Sequence, residues 1–172
     1  MIDDINDLKN HAEKTADKVI EKLKTLSLKL ALAESCTAGL ISGLLANKSG
    51  ASCVLWGSYV CYTQEAKVSM LDIESGKLNE YGLVSRQTAC SMAEKALEKS
   101  TADIAASVTG LAGPLGDGSD VPVGTVWIAV AKKNEAISVK EFHFSASCKY
   151  TQRNIVRYRA AIAVMEEILN VI

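Results

Sequence analysis

A chain of 172 residues with 19 basic and 20 acidic side chains has a formal charge of −1. It lacks the basic field that holds nucleic acid or an anionic membrane, so neither partner is expected. Its five cysteines, Cys36, Cys53, Cys61, Cys90 and Cys148, are odd in number, scattered and without a C-x-x-C pair, which argues against a disulfide framework or a zinc site.

The segment Ile2 to Leu26 places Ile5, Leu8, Ala12, Ala16, Val19, Ile20 and Leu23 mostly at three- and four-residue steps, which predicts an amphipathic helix packed on the domain. The acidic start MIDDINDL is unlike a targeting segment, and no apolar run approaches the roughly 18 to 20 residues that span a bilayer. A cytoplasmic protein with one domain over residues 1–172 is the expectation. Leu28 to Ala33 reads as a buried strand and Ala38 to Asn47 as the helix it feeds. Cys53 to Tyr62, apolar and aromatic, reads as a strand followed by a short helix over Gln64 to Leu71. Ser85 caps a helix containing Ala89, Met92, Ala93, Ala96 and Leu97, and Asp103 to Val108 is a further strand.

The loop Thr109 to Pro122 holds Gly110, Gly113, Gly116, Gly118 and both prolines, and is built to turn or to approach a ligand. Val123 to Lys132 and Ala136 to Phe144 form an antiparallel hairpin, and Ile155, Tyr158, Ile162, Met165, Leu169 and Ile172 share one face of a closing helix. Helices alternate with strands early and a hairpin comes late. The predicted fold is therefore α/β, a three-layer α/β/α arrangement around a mixed sheet.

Ligand sites in such sheets lie beyond the carboxyl ends of the strands. Three strand ends carry unusual residues: Glu34-Ser35-Cys36-Thr37, Tyr62-Thr63-Gln64-Glu65-Ala66-Lys67 and Thr109-Gly110-Leu111-Ala112-Gly113-Pro114. The first is a strand-to-helix turn, where unpaired backbone N–H groups at Cys36 to Ala38 can hold an oxyanion or a phosphate. Ser35 is a candidate nucleophile there, with Cys36 as its rival and helix capping by Ser35 or Thr37 as the structural alternative. Neither His11 nor His143 lies beside a candidate motif, so the base for a serine is sought elsewhere. Lys67 is the leading candidate if burial lowers its pKa, against the alternative of a solvated lysine at helical spacing from Thr63. Tyr62 can relay a proton, bind ligand or fill the core, and Arg153, Arg157 and Arg159 can supply charge to a phosphate or carboxylate. GLAGPLGDG lacks the G-K-[ST] ending of a P-loop.

Together LALAESCTAGLISGLLA, GSYVCYTQEAK, VTGLAGPLG, VPVGTVWIAVA and RNIVRYRAA, in that order, resemble the CinA C-terminal domain family. Many members are stand-alone amidases that hydrolyse nicotinamide mononucleotide to nicotinate mononucleotide and ammonia. The resemblance implies that reaction without metal or other cofactor, with Ser35 as nucleophile, Lys67 as base and Tyr62 as an active-site tyrosine. It implies a mononucleotide pocket formed by Cys36, Thr37, Ala38, Gly39, Gln64, Thr109, Gly110 and Gly113, and a phosphate held by Arg153. A homo-oligomer is expected. The alternative is a catalytically silent nucleotide-binding protein linked to competence or the DNA-damage response. Three departures stand out: Ala38 replaces the first glycine of the family's AESCTGG, where its methyl would crowd a ligand phosphate or an oxyanion held by the turn; Gln64 replaces asparagine; and Ser145 to Gln152 is longer than the usual F-x-G-D-R approach to the arginine. Longer relatives carry an N-terminal nucleotide-pyrophosphatase domain, for which this chain is expected to have no room.

Overall fold

The computed structural model describes residues 4–145 and 152–172. The extended approach to Arg153 therefore falls mostly outside the described residues, as do Cys148 and the first residues of the N-terminal segment. Within them lie α1 (Ile5–Leu26), β1 (Leu30–Glu34), α2 (Leu40–Ala46), a 3-10 turn (Ala51–Cys53), β2 (Leu55–Val60), α3 (Gln64–Leu71), α4 (Ser75–Tyr81), α5 (Arg86–Glu98), β3 (Ile104–Gly110), β4 (Thr125–Lys132), β5 (Ser138–His143) and α6 (Gln152–Val171). The five strands form one mixed sheet in the order β2-β1-β3-β4-β5. β2, β1 and β3 run parallel, and β4 and β5 are antiparallel additions, the second pairing as a hairpin.

Strand residues alternate between the two sheet faces with a period of two, and here the alternation sorts side chains by size as well. Leu30, Leu32, Ile104, Val108, Val126, Ile128 and Val130 join the larger core, against α1, α2 and α6. The opposite face carries Ala31, Ala33, Ala105, Ala129 and Ala131, packed with Met92, Ala89 and Ala93 of α5 and with Leu71 and Leu78 of α3 and α4. Alanine-lined strands let α5 approach the sheet closely, whereas the bulky face needs a thicker helical layer. α1 supplies that extra thickness by packing on α6 and α2.

Helix starts follow local capping chemistry. Asp4, Thr63 and Ser85 each accept a backbone N–H from the first turn of α1, α3 and α5. α2 starts two residues later than its sequence pattern suggests, because Ala38 (φ 50°) and Gly39 (φ 84°) both adopt left-handed backbone before Leu40. Cys53, read as strand, belongs to the 3-10 turn, and α4 is an additional helix with Leu78 as its buried anchor.

Candidate active site

The parallel strands β2, β1 and β3 end on the same side of the sheet, so their three carboxyl-terminal corners converge. Between them is a cleft of about 180 Å³ whose walls include Ser35, Cys36, Tyr62, Lys67, Thr109, Gly110 and Arg153.

Ser35 leaves β1 with its N–H still bound to the Val108 carbonyl of β3 (3.0 Å), which fixes the serine to the central strand pair. Lys67 lies one turn into α3, four residues after the Thr63 cap. Helical side chains lean toward the helix N-terminus, so this position projects the amine back to the strand ends. Its Nζ sits 3.0 Å from Ser35 Oγ and donates to the Cys61 carbonyl at 2.9 Å. The residue is only 1% exposed, and no carboxylate among the described residues pairs with it. Burial lowers the Lys67 pKa from its ordinary 10.5. The Cys36 and Cys61 thiols would favour the charged amine only as thiolates, and burial raises both of their pKa values. A neutral amine can donate to Cys61 and accept the Ser35 hydroxyl proton through its lone pair, a geometry that satisfies both contacts.

Burial separates the two candidate nucleophiles. The Cys36 thiol is pushed up to about 12 by desolvation, so about one thiol in 10⁵ is ionised at pH 7. Ser35 needs no standing anion, since its proton can leave as the bond forms.

Glu34 organises the turn beneath the serine. Its fully buried carboxylate accepts from Thr37 Oγ1 (2.8 Å), the Ile41 N–H (3.1 Å), the Ser42 N–H (2.9 Å) and Ser58 Oγ (3.3 Å). Gly39 offers no side-chain cap, so a carboxylate from the preceding strand serves the first turn of α2. Arg157 adds a second clamp, donating to the Thr37 carbonyl at 2.7 Å. The Ala38 N–H closes the turn on the Ser35 carbonyl (3.0 Å), that of Cys36 reaches only its own thiol, and that of Thr37 meets no backbone acceptor among the described residues.

At the mouth, Arg153 donates to the Gly113 carbonyl (2.9 Å) and to Tyr62 Oη (2.5 Å). Thr109 is committed to the Leu83 carbonyl at 2.7 Å. Gly110 is required by packing: a Cβ there would lie 2.7 Å from the Thr125 carbonyl oxygen.

Five residues expected in the mononucleotide pocket do not wall the cleft with their side chains. The Thr37 hydroxyl is turned inward onto Glu34. Ala38 and Gly39 line a separate shallow groove beside Arg157 and Tyr158, so the Ala38 methyl faces solvent rather than this cleft. Gln64 binds Ser75 (3.2 Å) and Asn79 (2.7 Å) and ties α3 to α4. Gly113 contributes through its carbonyl contact with Arg153. In their place the cleft is walled by Leu83, Val84 and Asp117. Asp117 was hidden among the glycines of a loop whose path the sequence does not specify.

A three-layer α/β protein with a buried serine–lysine pair at the ends of its parallel strands is thus the class that fold and site define. The chain belongs to the CinA C-terminal domain family, whose model matches residues 12–169. It is 46% identical over 127 residues to a putative competence-damage inducible protein of Caldicellulosiruptor saccharolyticus, covering 74% of this chain and 31% of that protein. It is 38% identical over 156 residues to a CinA-like protein of Thermotoga neapolitana, covering 91% and 36%. The chain spans about a third of the length of these curated relatives. Among solved structures, a competence/damage inducible protein from Agrobacterium tumefaciens matches with a TM-score of 0.85 and 35% identity, over 93% of this chain and 94% of the other. A CinA superfamily protein from Escherichia coli matches with a TM-score of 0.82 and 28% identity, over 94% and 90%.

Proposed function

We propose that this protein is an amidohydrolase that converts nicotinamide mononucleotide to nicotinate mononucleotide and ammonia. The observation that carries the reading is the 3.0 Å contact between Ser35 Oγ and the buried, carboxylate-free amine of Lys67. A hydroxyl beside an amine held below its ordinary pKa is an activated nucleophile.

In the proposed reaction neutral Lys67 takes the Ser35 proton as Oγ attacks the carboxamide carbon. The oxyanion is directed to the backbone N–H groups of Cys36 and Thr37, neither of which is bound to a backbone carbonyl among the described residues. Lys67, now protonated, returns the proton to the amide nitrogen, the C–N bond breaks, ammonia leaves and an acyl ester remains on Ser35. Water then attacks the ester with Lys67 again accepting the proton, and the carboxylic acid departs as Oγ is reprotonated. The sum is amide plus water to acid plus ammonia. Arg153, in no ion pair among the described residues, is assigned to the substrate phosphate, with Tyr62 holding its guanidinium at the mouth.

The test is release of ammonia and nicotinate mononucleotide by the purified protein in chelator. Turnover lost in Ser35→Ala supports the reading, and an unchanged rate in that variant overturns it.

A further inference from the structure

The side chains that wall the cleft carry a distinctive set of charges. Among the described residues they include two basic side chains, Lys67 and Arg153, and one carboxylate, Asp117. Lys67 sits at the floor, unpaired with any carboxylate among the described residues, its pKa lowered by burial. Away from that buried amine, the cleft wall holds one guanidinium, belonging to α6, and one carboxylate, belonging to the loop after β3. The two do not neutralise each other, since neither Arg153 nor Asp117 joins an ion pair among the described residues.

Asp117 is exposed on its loop and fixed by a local turn. Its Oδ1 accepts from the Ser119 N–H (3.0 Å) and the Ser119 hydroxyl (2.6 Å), and these bonds lower its pKa below the ordinary carboxylate range. Ser119 engages Oδ1 alone, and the Asp117 backbone N–H adds a weaker contact to the carboxylate. A wall with one fixed anion and one fixed cation suits a ligand that carries both signs. Nicotinamide mononucleotide is such a ligand, with a quaternary pyridinium ring and a phosphate.

We propose that Asp117 is a specificity-determining residue that faces the cationic ring of a pyridinium nucleotide while Arg153 takes its phosphate. The assignment rests on the amidase reading for the identity of the ligand. It gives the cleft selectivity for the oxidised, charged ring over the neutral dihydropyridine of the same shape. The interaction is between groups open to solvent, so its size is modest, on the order of tenfold in affinity, and it weakens as salt is added.

Asp117→Asn isolates the charge, because an asparagine carbonyl can keep both bonds from Ser119. Binding is measured by calorimetry to Ser35→Ala and to the Ser35→Ala/Asp117→Asn double variant, using nicotinamide mononucleotide and its dihydronicotinamide form as the two probes. The expected result is a loss of about tenfold for the cationic ligand with the reduced ligand unchanged. An equal loss for both, or no loss for either, overturns the role of Asp117. Binding of the cationic ligand to Ser35→Ala without turnover by the unsubstituted protein overturns the amidase reading alone. Failure of both ligands to bind overturns the two together.

Discussion

Lys67 and Cys36 lie in one cleft, and burial acts on both by disfavouring the charged form, which has opposite consequences for their chemistry. Neutralising the lysine creates a base; neutralising the cysteine removes a nucleophile. Cys36→Ala is therefore expected to keep turnover within about threefold of the parent, at a stability cost of about 1 to 2 kcal/mol for the lost buried sulfur, checked by amidase assay and thermal melting. Lys67→Met keeps the side-chain volume while deleting the amine, and is expected to abolish turnover without lowering the melting temperature. Lys67 also sets the pH response. Between its depressed folded pKa and the ordinary 10.5 the unfolded chain binds the extra proton, so stability rises with pH through that window. Activity is likewise expected to rise as pH climbs through the folded pKa, where the amine becomes neutral. Urea titrations of parent and Lys67→Met across that range should show the slope in the parent and its loss in the variant.

At the scale of elements, the strand-turn-helix unit from β1 to α2 is built around Glu34. Glu34→Gln must set an amide NH₂ against the N–H of either Ile41 or Ser42, since the two backbone donors bind different carboxylate oxygens. The expected loss is about 2 to 4 kcal/mol, read from denaturant unfolding, with turnover falling because the nucleophile's turn loosens. Ala38→Gly should act oppositely. Removing the methyl at φ 50° relieves about 1 to 2 kcal/mol of left-handed strain, of which unfolded-state entropy offsets part, for a net gain of about 0.5 to 1 kcal/mol. The limits of sequence reading show most clearly in this unit. Ser35, Lys67 and the three strand ends are legible because strand and helix periodicities place them at the carboxyl edge of the sheet. The inward turn of the Thr37 hydroxyl is not legible because a hydroxyl in a turn has the same local pattern whether it meets a ligand or a buried carboxylate. Glu34 is overlooked because a lone acidic residue ending an apolar run resembles an ordinary exposed strand terminus, and its four donors come from residues three to 24 positions away.

Across the whole molecule, the sheet's unequal faces hold the site in place. The bulky face anchors α2 and α6, which bring Arg157 to the turn and Arg153 to the mouth, while the alanine face seats α5 tightly. Ala129→Leu, directed at Ala89 and Ala93, is expected to cost about 1 to 3 kcal/mol by overpacking, whereas Ile128→Leu on the opposite face should cost less than about 1.5 kcal/mol; the comparison is made by denaturant unfolding. The order of strands and helices was readable from alternation and turn residues, since each local period agreed with its neighbours. α4 was not, because its segment has one fully buried apolar residue, Leu78, and so carries no helical stripe. The course of the loop after β3 was not readable either, as glycines permit many paths and only tertiary contact selects one. Among the described residues no helix is long and apolar enough to cross a membrane.

The most direct test of serine attack assisted by a neutral lysine is steady-state turnover of nicotinamide mononucleotide by Ser35→Ala, Lys67→Met and Cys36→Ala beside the parent, with folding verified for each. The account predicts turnover in the parent and in Cys36→Ala, and none above background in the other two. Turnover that survives Ser35→Ala but vanishes in Cys36→Ala would contradict it.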